Sequence, residues 1–263
     1  MFISSETLLG IAVASSVGFI VNVLMNMFQS SQPKHPFFMT FQGTKAPLWS
    51  WMFSAFLSGI VYTSLYSCAW YTSNSEVRME WLVGTDTRHL SSPVGRDLQF
   101  FKYFLYTFCG YLARDLPLCI NNPLFVAHHF ACAAGIISTL ETTSPGAIAA
   151  VHGILVLELG SFFFNVWGID DLLRHFPQHF PFWPHFIKES WLCNAYYFML
   201  TFSNIISSWF LWRSSMASFE SGYMTFGLFS ALSGAPLIYL RQVEVNKAMT
   251  GIKPKPRMHE KDL

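Results

Sequence analysis

Seven stretches of this chain, residues 8–28, 47–70, 98–120, 124–140, 146–167, 191–212 and 221–240, are apolar over close to the length of a bilayer span. About 20 apolar residues let a helix cross a hydrocarbon core roughly 30 Å thick, and there only helices and closed barrels satisfy their own backbone. The pattern predicts an all-α polytopic membrane protein with about seven transmembrane helices. Composition points the same way: 52% of the 263 residues are apolar and 12% charged, against roughly 25% charged in soluble domains. A net charge of +1 excludes a nucleic-acid binder held by a broad basic face. The five cysteines form no C-x-x-C pair, so no disulfide framework or metal site is expected.

The first segment follows Glu6 with no basic residue ahead of it and outruns a signal-peptide apolar core, so it is read as a retained anchor. Lys and Arg outside the spans divide ten against four when the C-terminus is placed in the cytosol, with Arg174, Lys188 and Arg241 among the ten. The positive-inside bias then puts the C-terminus in the cytosol and the polar loop of residues 71–97 in a lumen. Three domains are expected: 1–46, an N-terminal transmembrane anchor and linker; 47–245, the main membrane domain; and 246–263, a basic cytosolic tail. Lys253, Lys255 and Arg257 in that tail suit contact with an anionic leaflet.

Ionisable residues inside spans are costly, and those that remain usually face a protein interior, a partner or a wet cavity. The third span carries Tyr111, Arg114 and Asp115, the fourth His128 and His129, the fifth His152 and Glu158. Asp115 lies about five residues before the turn at Asn121, Asn122 and Pro123, and His128 about five after it. With a rise of roughly 1.5 Å per residue, antiparallel neighbours place them at similar depth. The two histidines diverge by about 100° around their helix, so one can face Asp115 while the other faces a substrate. A carboxylate beside an imidazole fixes its tautomer, as a general base requires. Glu158 is expected within a turn of the same level, and Arg114 to snorkel toward the cytosolic face or pair with Glu158. His152 reads as a satisfied packing residue. His175, His179 and His185, interrupted by Pro177, read as an interfacial belt.

At these residues the chain resembles the TLC family, the membrane domain shared by Lag-type ceramide synthases, TRAM translocon-associated proteins and the neuronal-ceroid-lipofuscinosis ER proteins. Its carriers are Gly110 and Tyr111 with Asp115, the pair His128 and His129, and Leu157 and Glu158 followed by Asn165 and Trp167. The resemblance implies a TLC-type core of six helices around a cavity, plus the N-terminal helix, in the endoplasmic reticulum. Ceramide synthases place an H-D-x-x-D element just before the Leu-Glu pair. Here Ala150, Val151 and Ile154 stand at its histidine and aspartate positions, which brings the chain nearer to the TLC-domain proteins of lipid homeostasis and membrane composition.

Two functions follow as expectations. One is a protein of lipid homeostasis that holds a membrane lipid or fatty acyl chain in an intramembrane cavity. The other is an acyl-CoA-dependent acyltransferase with acyl-CoA as co-substrate and no resident cofactor, using His128, His129 and Asp115. Glu158, Arg114, Tyr111 and Asn165 are the expected substrate- or lipid-binding residues, and Arg174 and Lys188 would receive the CoA phosphates. A second copy of the chain is the candidate protein partner. A signalling receptor is disfavoured, because its characteristic triplet after the third span is missing.

Overall fold

The computed structural model describes residues 3–32, 35–38, 47–92, 95–120, 123–175 and 189–249, and all its regular elements are helical. They are α1 (Ser5–Ser31), α2 (Leu48–Phe56), α3 (Tyr62–Thr72), α4 (Ser75–Val83), α5 (Arg96–Cys119), α6 (Pro123–Glu141), α7 (Ala147–His175), α8 (Glu189–Glu220) and α9 (Met224–Met249). A π-helical turn, Leu57–Val61, joins α2 to α3, so these two form one rod. The seven apolar segments fall on seven rods. By length and apolarity alone, three of the described helical spans are fit to cross a membrane: Ser5–Ser31, Leu48–Thr72 and Ala147–Arg174. The other four rods carry polar side chains, among them Arg114 and Asp115 on α5, His128 and His129 on the otherwise apolar α6, and Asn204 and Arg241 on α8 and α9.

Neighbour contacts close a ring. The α2–α3 rod packs on α7, α7 on α8, α8 on α9, α9 on α6, α6 on α5, and α5 back on α3. Helix α1 stays outside and packs chiefly on α5. Its outward face, including Leu9, Val13, Val17 and Leu24, is exposed, as a lipid-facing helix would present it.

The α1–α5 contact depends on small residues. A Cβ on Gly18 would lie 2.7 Å from Arg114 Cβ, and one on Gly110 would lie 2.6 Å from the backbone carbon of Ala14. Small residues at such crossings let helix backbones approach closely. Polar groups fix the same pair near the start of α1. Ser4 caps that helix by accepting from Thr7 N, donates to Glu141 Oε1 at 2.8 Å, and Lys102 Nζ meets Glu6 Oε1 at 2.9 Å. Glu141 titrates below its ordinary range: burial, the largest single effect, would raise its pKa, but hydrogen bonds from Thr7 and Ser4 and the charge of Lys102 together outweigh it.

The loop of residues 71–97 is folded, not merely polar. Asn74 caps α4 by accepting from Val77 N, and Gly84 ends that helix at φ 68°, a left-handed conformation favoured by glycine. Buried Trp81 donates from Nε1 to Asp86 Oδ2 at 2.9 Å. Arg88 then bridges Asp86 and Asp97, both at 2.8 Å. Burial alone would lower the Arg88 pKa, but its hydrogen bonds to the two carboxylates outweigh that and raise it. Behind Trp81 lie Tyr66, Phe101, Phe210 and His152. His152 Nδ1 donates to the Ile148 carbonyl at 2.8 Å, while its buried Nε2 has no partner among the described residues. The expected satisfied histidine is therefore satisfied on one nitrogen only, because aromatic rings surround the other.

Gly110→Val should separate α1 from α5, since the added atoms meet backbone that cannot yield. Overpacking of this kind costs about 1–3 kcal/mol. Disulfide trapping of the Glu6→Cys, Lys102→Cys pair should fall in that background, and unchanged trapping would contradict the packing described.

Candidate functional site

Two consecutive residues near the end of α5 organise the site. Arg114 is fully buried. Its Nε donates to Asn22 Oδ1 at 3.2 Å, Nη2 to Ser50 Oγ at 3.0 Å and Nη1 to Asp115 Oδ1 at 3.4 Å. Its Cζ lies 4.6 Å from the Trp49 ring centroid and 4.9 Å from that of Phe53. Asn22 also donates from Nδ2 to the Arg114 carbonyl at 2.8 Å. This corrects the expectation that Arg114 snorkels or pairs with Glu158. Acceptors from α1 and α2 surround it, and the aromatic faces complete its shell.

Asp115 meets His129, with Nε2 to Oδ2 at 3.1 Å. Of the two histidines, His129 is thus the one on the carboxylate, and it is buried. His128 turns to another face, its ring centroid 5.6 Å from that of His129 and its Nε2 3.7 Å from Cys132 Sγ. The divergence expected from helical geometry is present, with His129 on the carboxylate and His128 turned to the groove.

That member lines a groove with a cavity volume of about 80 Å³, whose walls come from α5, α6, α7, α8 and α9. Phe108, Ile136, Ile154, Leu211, Phe226, Phe229 and Leu237 make it largely apolar. Its polar groups gather mainly at one end, where His128 and Cys132 of α6 meet Glu158 of α7 and Arg241 of α9. Arg241 Nε donates to Asn204 Oδ1 at 3.2 Å, Nη1 to Ser161 Oγ at 2.9 Å and Nη2 to the Leu157 carbonyl at 2.8 Å. Glu158 joins His128 on the groove wall, not the Arg114 cluster.

Arg241 corrects the charge count as well. Hydropathy ends the last segment at residue 240, whereas α9 continues to Met249 and turns this guanidinium into the groove. The cytosolic excess inferred from the sequence loses one member. Cys132 was legible in principle, four residues after His128 and hence on the same helix face. Arg241 had no comparable local signal.

The remaining candidates are dispersed. Tyr111 accepts from Ser54 Oγ at 3.1 Å, beside α2. Asn165 is buried on α7. Arg174 meets Asp170 at 2.8 Å, so its charge is already engaged, and Lys188 lies outside the described residues. His179, His185 and the basic tail are likewise outside them, and His175 ends α7. Among the described residues no cluster of His, Cys, Asp or Glu could hold a metal ion. Comparison with protein-family models, curated proteins and solved structures finds no match for this chain.

Arg114→Ala should cost about 3 kcal/mol, because removing one member of a buried charged cluster leaves the others uncompensated. Arg114→Lys should recover only part of this, since an ammonium lacks the planar fork and weakly replaces ring stacking. Equilibrium unfolding in detergent measures both, and a loss below about 1 kcal/mol for the alanine variant would refute the clamp.

Proposed function

We propose that this is a polytopic membrane protein of the TLC type that acts in lipid homeostasis by holding a lipid or acyl chain in the α6–α9 groove. In this reading all seven rods cross the bilayer, the membrane is that of the endoplasmic reticulum, and the C-terminus is cytosolic. The observation that carries it is the groove itself. Ionisable side chains from three helices line one end of an otherwise apolar channel, and such residues within a membrane mark ligand paths by default. Six rods in a closed ring with one outside also suit the expected core plus N-terminal helix.

Chemistry is the second reading, favoured by the Asp115–His129 pair. A histidine held by a carboxylate could take a proton from a hydroxyl or amine acceptor, or attack an acyl thioester to give an acyl-imidazole. The geometry favours binding over this. The carboxylate orients His129, while His128 is the imidazole that reaches the groove. Ala150 and Ile154, which stand where the ceramide-synthase element would have its histidine and second aspartate, line the groove as apolar wall.

Gly135 offers a selective test, because a Cβ there meets only Phe229, at an ordinary 3.6 Å. Gly135→Leu should keep the fold and empty the groove. Lipid copurifying with the detergent-extracted protein, measured by mass spectrometry, should fall by about tenfold, given roughly 0.8 kcal/mol for each buried CH₂ displaced. Equal lipid in both proteins would reject the groove as the binding site. His128→Ala should leave chain binding in place on the binding reading, and abolish acyl-CoA turnover on the catalytic one.

A further inference from the structure

The polar end of the groove contains a split ion pair. Glu158 and Arg241 both line it, yet no salt bridge joins them, and Glu158 makes no side-chain hydrogen bond among the described residues. Arg241 spends one N–H on each of its three nitrogens, all on neutral acceptors. A guanidinium has five such donors, so two remain. Among the described residues His128 meets only the weakly bonding Cys132 thiol in hydrogen-bond geometry. Donors, acceptors and an amphoteric ring thus face one space without closing on one another.

We propose that this end selects an uncharged lipid head bearing hydroxyl groups, in preference to a carboxylate or an amine of equal chain length. The inference rests on the lipid-binding reading and adds the chemistry of the head. A hydroxyl donates to a Glu158 oxygen while accepting from an Arg241 N–H, so one neutral group bridges the gap. An anionic head would gain Arg241 and be opposed by Glu158, and a cationic head would meet the reverse. Either would also carry a net charge into a poorly solvated space, which is costly unless fully paired. A second hydroxyl finds His128, so a glycerol-type head with one acyl chain uses all three side chains. The chain then runs from His128 toward Thr139 along α6, a distance of about 17 Å at the helical rise, over Ile136, Ile154 and Phe226.

The test uses the full-length chain in detergent with three probes of the same tail: monoolein, oleate and oleylamine. Native mass spectrometry and thermal shift should both rank monoolein first, by about tenfold, since like-charge juxtaposition opposes either ion. Glu158→Gln should narrow the preference for monoolein over oleate by about tenfold through loss of that repulsion. Wild-type protein that binds oleate or oleylamine as well as monoolein overturns the head selectivity and leaves the groove reading intact. Failure of all three probes, together with no copurifying lipid, overturns both. Gly135→Leu should weaken binding of every probe by about tenfold, and undiminished monoolein binding there would place its site elsewhere and reject the proposal.

Discussion

The arrangement of four rods follows from one guanidinium shut away from solvent. A charged group taken out of water costs on the order of several kcal/mol, so it persists only where the surrounding protein replaces water. For Arg114 the replacements are Asn22 from α1, Ser50 from α2 and Asp115 from α5 itself, with Trp49 and Phe53 across its faces. Displacing either outer helix would leave donors unpaired. Asp115 extends the constraint to α6 through His129. The same carboxylate therefore serves a structural cation and an imidazole, and its contact with His129 is part of the architecture before it is any part of chemistry.

A contrast between two polar clusters separates structure from function. Around Arg114 three of the five N–H groups have partners, as around Arg241, but one of those partners is the Asp115 carboxylate, and the Trp49 and Phe53 rings complete the enclosure. In the groove, Glu158 accepts no side-chain hydrogen bond and two Arg241 donors are unspent among the described residues. Leaving buried polar groups unpaired costs stability, and a fold that pairs one buried guanidinium with a carboxylate could have paired the other. The open cluster lies where α6 meets α9 and an apolar channel begins, so a ligand accounts for its polar valences more economically than packing does.

The helical architecture was legible because apolarity over a span is a local property, and the seven segments coincide with seven rods. The meeting of Asp115 with the histidine pair was legible too, since rise per residue fixes depth on antiparallel neighbours. Which histidine would face it was not, because that depends on the rotation of α6 about its axis, set by packing against α5 and α9. Arg114 was misread for a similar reason: its acceptors at Asn22 and Ser50 are distant in sequence. Arg241 was missed because hydropathy marks the end of an apolar run, not the end of a helix. The polar loop hid its order, since Trp81 and Asp86 are buried by partners that alternation of polar and apolar residues does not predict.

The distribution of polarity along the groove bears on how it would work. If its middle carried acids where Val151 and Ile154 stand, a reacting head could be held and activated from two sides. Instead Val151 is buried in the core and Ile154 forms groove wall beside Ala150. Little but hydrocarbon then lines the middle of the channel, and its ionisable groups sit together at one end. On the lipid-binding proposal, such a site would orient a chain by its head and gain energy in proportion to the tail it covers. It offers the single carboxyl of Glu158 at the head, and the imidazole aligned by Asp115 does not line the groove. On that proposal the layout would serve retention, and any chemistry would have to run through His128 without a carboxylate contact of its own.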